Sequence, residues 1–233
     1  MLDFISDNIK KVRDEIFETC LKYSRNTGDI TLCAVSKTKP IEYIDFANTL
    51  GINTFGENYA QEVVSKFTDK KKDYSLHFIG HLQRNKVSKI INIVDSIDSI
   101  DSLELLKKVN LEAEKVNKTM NIMFEYNASG DNNKTGFTSV DDLKKTLDET
   151  INLKYVKPVG MMTMGPVNST DSDIRKSFDK FNNIFDIICC EYKNLKLKYK
   201  SFGMSADFKL AIEMGSNFLR IGSSVFGSRI YNK

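Results

Sequence analysis

The sequence predicts an α/β chain folded as a (β/α)8 TIM barrel with an additional helix at its N-terminus. Three observations carry this. About eight short apolar runs alternate with segments of helical periodicity along the chain. The 233 residues accommodate eight such units with little decoration. No proline-rich or Gly/Ser-rich linker interrupts them, so 1–233 reads as a single domain. A doubly wound open sheet is the other arrangement that fits the same alternation.

The elements follow in order. Leu2, Ile5, Ile9, Val12, Ile16 and Leu21 are spaced as the buried stripe of an opening helix. TLCAV (31–35) is the first strand, and Pro40 opens a helix that Gly51 ends near Leu50. NTF is a short strand before Gly56, followed by a helix from Tyr59 to about Phe67. SLHFIG is the third strand and LQRNKVSKII the next helix. IVDSI (93–97) is the fourth strand, after which Asp98 or Ser99 is placed to cap a helix reaching about Val116.

The second half repeats the pattern. TMNIMFEYN is a strand, ASGDNNKTG a polar glycine-bounded loop, and a helix runs from Val140 to about Thr150. LKYVKPVGMM precedes a polar stretch from Gly165 to Asp173 and a long helix ending near Lys193. YKSFGMS holds a strand, DFKLAIEMG a helix and FLRIGS the last strand, with SVFGSR closing as a turn.

Composition narrows the function. The chain is 41% hydrophobic and 28% charged, which suits a soluble globular protein with a sizeable core. A net charge of +3 with dispersed lysines, apart from a solvated run at Lys70, Lys71 and Lys72, argues against a nucleic-acid surface. The four cysteines form no CxxC pair and read as reduced thiols, which points to the cytoplasm. Two histidines, His77 and His81, are too few for a zinc site without a cysteine cluster. No stretch approaches a membrane-spanning length, and the N-terminus lacks the apolar run of a signal peptide.

In a barrel, chemistry gathers at the C-terminal ends of the strands. Lys37 stands there after strand one and Asn58 after strand two. His77 and His81 bracket strand three, and Met162 follows strand six. Gly203, Met204 and Ser205 follow strand seven, and Arg220, Gly222 and Ser223 follow strand eight. Glycine and serine after the last two strands suit a phosphate cradle, because glycine lets the backbone come close and serine adds a donor. A lysine on the rim of a core can form an imine with an aldehyde if its amine is unprotonated part of the time. Lys37 suits that role better than Lys39, which immediately precedes Pro40, where extended backbone leads away. Taken singly, Lys37 also reads as a solvated strand-end lysine, and each Gly–Ser motif as a turn.

Several motifs in one order make a more specific statement. AVSKTKP (34–40), FGENYAQE (55–62), HFIGHLQRNK (77–86), SGDNNKTGF (129–137), GMMTM (160–164) and SFGMSADFKLAIEMGSNFLRIGSSVFGSR (201–229) together resemble the YggS/PROSC family of pyridoxal 5'-phosphate (PLP) homeostasis proteins over nearly the whole chain. The resemblance implies a barrel like the N-terminal domain of alanine racemase. It implies that Lys37 carries PLP as a Schiff base, that Ser205 and the RIGS stretch contact the phosphate and ring, and that Arg220 faces the pyridine nitrogen and keeps it unprotonated. Asn58, His81, Met162 and Ser223 lie in family motifs at the pocket rim or phosphate side. Lys134, in its polar loop, reads as exposed and is not assigned the imine. Many relatives carry proline where this chain has His81 and serine where it has Arg84.

Racemases of this fold carry a second, β-rich domain that supplies a tyrosine acid/base and much of the dimer contact. This chain ends four residues after FGSR, and nothing suggests that Tyr231 is held opposite Lys37. The resemblance therefore implies a monomeric PLP carrier or regulator without robust turnover, serving vitamin B6 and amino-acid homeostasis. Its partners would be PLP, free amino acids and apo PLP enzymes. A small PLP-dependent racemase or lyase is the competing expectation, and a barrel enzyme for another phosphorylated metabolite is the third.

Overall fold

The strands β1 (Thr31–Val35), β2 (Thr54–Glu57), β3 (Ser75–Phe78), β4 (Ser96–Ile100), β5 (Met120–Glu125), β6 (Val156–Met162), β7 (Tyr199–Ser201) and β8 (Phe218–Ile221) close into a barrel in chain order. Every pairing is parallel, including the closing one between β1 and β8. The architecture comes from a computed structural model that describes residues 2–70, 73–131 and 133–228. Lys71, Lys72, Tyr231 and the last residue of SVFGSR lie outside the described residues.

The helices are α1 (Asp3–Lys22), α2 (Ile41–Thr49), α3 (Ala60–Phe67), α4 (Val87–Ile90), α5 (Leu103–Lys115), α6 (Val140–Thr150), α7 (Asp171–Glu191), α8 (Phe208–Glu213) and α9 (Ser223–Phe226). The extra first helix packs on α8 and α9, and Asn8 Nδ2 donates to the Val225 carbonyl at 3.0 Å. Its buried stripe is Ile5, Ile9, Val12 and Ile16, continuing to Cys20. Leu21 is 71% exposed instead of buried, because the i, i+4 step from Ile16 reaches residue 20. No helix among the described residues is long and apolar enough to cross a membrane.

The apolar interior has two bodies. A large one fills the space between sheet and helices, with Phe55, Phe78, Phe124 and Phe202 buried in it. A small one of Cys33, Met123, Met162 and Phe218 plugs the barrel. Gly56, which the sequence reading put after the strand, is inside β2. A Cβ there would sit 2.9 Å from Ile79 Cδ1 and 3.0 Å from Cys33 Sγ, so the glycine makes room for the plug.

Three further boundaries differ from expectation. The fourth strand runs three residues later than IVDSI, and neither Asp98 nor Ser99 caps a helix. Both are buried strand residues: Asp98 is bound by His77 and Ser96, and Ser99 Oγ donates to the Gly80 carbonyl at 2.6 Å. The cap of α5 is Ser102, whose Oγ accepts from the Leu105 amide at 3.4 Å. The helix expected at LQRNKVSKII is a single turn, α4, behind a 3-10 turn at Arg84–Lys86. Conversely, the turn expected after FLRIGS contains the helical turn α9.

Candidate cofactor site

A cavity of about 360 Å³ opens at the C-terminal ends of β1, β2, β7 and β8. Seven of the residues singled out from the sequence line it: Lys37, Asn58, Met204, Ser205, Arg220, Gly222 and Ser223. They come from four strand ends separated by most of the chain, and barrel closure brings them together.

Lys37 follows β1 in a tight turn. The Lys39 amide donates to the Ser36 carbonyl at 3.0 Å, and Thr38 adopts a left-handed backbone with φ 63°. The turn brings Lys39 back to the same cavity, although the following proline suggested a backbone leading away. Lys39 Nζ donates to the Ser228 carbonyl at 3.0 Å, and burial pushes its pKa below the usual lysine range.

Arg220, on β8, is buried. Its Nη1 donates to Ser201 Oγ and its Nη2 to the Thr163 carbonyl at 2.9 Å. Burial pulls its pKa down, and the surrounding Cys33, Asp98, Glu125 and Asp207 oppose that pull. A guanidinium nevertheless stays protonated in a protein, so this is a fixed positive charge at the cavity wall.

Another part of the wall is built from main chain. Ser205 Oγ accepts from the amides of Gly222 at 3.3 Å and Ser224 at 3.2 Å. These two N–H groups converge on one point, where an anion oxygen would meet both. Gly203 lets the Ser205 loop fold this closely: its φ is +99°, and a Cβ there would lie 2.5 Å from Ala211 Cβ. On the facing side, Gly80 lets Asn58 approach, since a Cβ at 80 would lie 2.3 Å from the Asn58 carbonyl oxygen. Asn58 Oδ1 is buried and has no hydrogen-bond partner among the described residues, an acceptor left over at the cavity wall.

The profile of the alanine racemase N-terminal domain matches residues 6–230. A pyridoxal phosphate homeostasis protein of Aquifex aeolicus is 34% identical over 226 residues, spanning 97% of this chain and 98% of that one. This chain belongs to the pyridoxal phosphate homeostasis protein family. PipY of Synechococcus elongatus, solved with PLP bound, superposes with a TM-score of 0.82 at 27% identity, covering 96% of this chain and 100% of PipY. An alanine racemase of Clostridium difficile shares the fold alone, with a TM-score of 0.78 at 16% identity over 99% of this chain and 58% of the racemase.

Within this family member, three residues singled out from the sequence, Met162, His81 and His77, stand away from the cavity wall. Met162 is fully buried in the barrel plug, and Met164, two residues on, lines the cavity. The His81 side chain is 55% exposed and faces Asp101 Oδ2 at 3.2 Å outside the cavity. His77 is inside the barrel towards its N-terminal opening, with Nδ1 at 2.7 Å from Asp98 Oδ2. Lys134 is half-buried, and its ammonium donates to the Gly165 carbonyl, because the polar loop folds back on the barrel rim.

Sequence reasoning does not point to Val35, Ile79 and Ala206 in the wall, or to Ser201 and Thr163 as the partners that hold Arg220. Val35 and Ile79 carried a usable signal as the final residues of apolar runs before polar loops. Ser201 and Thr163 carried none, since small hydroxyl residues near strand ends are common. Glu125 was also missed. This carboxyl at the end of β5 is pushed up to about 6 by burial, while Thr135 Oγ1 donates to its Oε1 at 3.0 Å.

Proposed function

We propose that this protein holds PLP at the cavity described above, with Lys37 as the amine that takes the cofactor's aldehyde as a Schiff base. One observation carries the reading. A lysine, a buried arginine and a pair of convergent main-chain N–H groups open onto a single cavity of about 360 Å³. PLP presents an aldehyde, a pyridine nitrogen and a phosphate, one for each of these groups. The unpartnered Asn58 Oδ1 and the exchangeable Ser205 hydroxyl fit a site that completes its hydrogen bonds on a polar ligand. The PLP-bound relative PipY supports the same reading.

Bound PLP supplies an aldehyde to the amine and a ring that withdraws electrons. The chain's own groups do the rest. Lys37 would supply the amine for that aldehyde. The amides of Gly222 and Ser224, with the Ser205 hydroxyl, would hold the phosphate. Arg220, fixed by Ser201 and Thr163, would supply a permanent cation that disfavours a proton on the ring nitrogen and so weakens the ring as an electron sink.

The same wall supports a carrier over an enzyme. Among the described residues lining the cavity there is no tyrosine, histidine or carboxylate to exchange a proton opposite Lys37. The other amine there, Lys39, is engaged by the Ser228 carbonyl. In this reading the protein works as a cytoplasmic monomer. It holds and releases PLP, meets free amino acids at the open mouth, and passes the cofactor to apo PLP enzymes in vitamin B6 and amino-acid homeostasis.

The test is to load the protein with PLP, reduce with borohydride and map the pyridoxyl adduct by peptide mass spectrometry. The adduct is expected on Lys37, with Lys37→Ala losing it while retaining the fold. An adduct mainly on Lys39 or Lys134 overturns the assignment, and none at all returns the site to some other phosphorylated metabolite. Chiral chromatography and Cα deuterium exchange with L-alanine then address turnover. A rate of about one per second or more, near the low end of ordinary enzymes, would overturn the carrier reading in favour of a small racemase or lyase.

A further inference from the structure

We infer that Lys66, together with Glu57 and Glu62, is a positioning unit that aims Lys37 into the cavity by clamping the peptide on both sides of it. The inference rests on the role given to Lys37 above and adds three residues that line no part of the cavity themselves.

The geometry runs through one ammonium. Lys66 Nζ donates to the Ser36 carbonyl at 3.1 Å, to Glu57 Oε1 at 2.9 Å and to Glu62 Oε2 at 2.6 Å, which uses all three of its protons. The two carboxylates then reach the residues flanking Lys37. Ser36 Oγ donates to Glu57 Oε1 at 2.8 Å, and the Thr38 amide donates to Glu62 Oε2 at 2.8 Å. Residue 36 is therefore held through its carbonyl and hydroxyl, and residue 38 through its amide. Glu57 ends β2, while Glu62 and Lys66 lie one turn apart on α3, so the clamp ties the first βα turn to the second βα unit.

Two features point to a geometric role. Thr38 has φ 63°, a conformation that a β-branched residue leaves unless its surroundings enforce it. The Glu62 acceptor on the Thr38 amide is such an enforcement, and it stands next to the amine-bearing residue. Secondly, the clamp is a poor stabiliser. Glu57 is fully buried, burial pushes its carboxyl up against the pull of Lys66, and its Oε2 has no partner among the described residues. A buried ion pair with an unsatisfied oxygen is weak evidence for stability. Lys37 has a four-carbon stem, and fixing both peptides at its base restricts where its amine can go.

Lys66→Met would strand the buried Glu57 and risk misfolding, so the Glu62 variants carry the test. Glu62→Ala removes the Thr38 acceptor and leaves the Lys66–Glu57 pair, whereas Glu62→Gln keeps an acceptor oxygen. Affinities are measured for PLP and for pyridoxamine 5'-phosphate, which keeps the ring and phosphate but has no aldehyde, and imine formation is followed by stopped-flow absorbance. Glu62→Ala is expected to weaken PLP and slow imine formation about tenfold, with pyridoxamine 5'-phosphate changed by less than about twofold. Glu62→Gln should recover most of the loss. Equal weakening of both ligands, or PLP binding and imine formation unchanged in Glu62→Ala, overturns the positioning role alone. Absence of any Lys37 adduct in the unaltered protein overturns the reading of the site as well.

Discussion

The two mouths of the barrel differ in a way that size does not reveal. The N-terminal mouth has the larger cavity, about 810 Å³, against about 360 Å³ at the C-terminal one. Its inner polar groups, however, bond one another. His77 Nδ1 faces Asp98 Oδ2 at 2.7 Å, and Ser96 Oγ bonds Asp98 as well as the Asn121 carbonyl. At the C-terminal mouth, Asn58 Oδ1 has no partner among the described residues, and two backbone amides rest on a single serine hydroxyl. What distinguishes a site is convergent capacity left unused, and parallel strands concentrate it at one end because every strand delivers its following loop there.

The sharpest way to break this comparison is at the phosphate side. Ser205→Ala should weaken PLP by roughly ten- to a hundred-fold, the worth of a hydrogen bond to a charged group. Pyridoxal, which has no phosphate, should be much less affected. Titration of both ligands decides it, and equal losses would make Ser205 a general support of the loop.

At the other mouth the expected effect is on stability. His77→Leu strands the buried Asp98 carboxylate and should cost about 1–3 kcal/mol in urea unfolding. PLP affinity should stay within about twofold. A tenfold loss of affinity would show that Asp98 couples the two ends through the Arg220 charge.

The smallest effect is expected at Glu125, where the sign follows from its raised value. Its carboxyl titrates near 6 in the folded protein because burial penalises the ionised form. The stability associated with that shift is fully present below the unfolded carboxyl range and is lost as pH rises through about 6. Glu125→Gln, which keeps an acceptor for Thr135, should therefore stabilise the protein at pH 7 by on the order of 1–2 kcal/mol. Denaturant midpoints across pH 4–7 should show the gain shrinking towards the acid end.

Much of this was legible before any coordinates. Apolar runs at regular spacing announced the strands. β1 and α6 are bounded as expected, and α2 lies between Pro40 and Gly51 because both residues mark local backbone events. Lys37, Asn58, Ser205, Arg220, Gly222 and Ser223 were readable because a barrel places every strand end on one face. The fourth strand was misread because Asp98 and Ser99 are polar, and polar residues after an apolar run look like a helix start. Only closure of the barrel showed them to be buried and bonded from neighbouring strands.

By itself, then, the sequence determined the order of the strands and which loops gather at one mouth, since periodicity and turn chemistry are local properties of a chain. Tertiary structure decided which strand-end side chains face the cavity. Strands of a parallel barrel are buried on both faces, so alternation no longer separates inward from outward. Met162, the last residue of β6, plugs the core, whereas Met164 beyond the strand lines the wall and His81 beyond β3 stands outside. Tertiary structure also decided the link from Lys66 to the turn of Lys37. The two lie 29 positions apart, and no local pattern relates them until β2 and α3 pack beside β1.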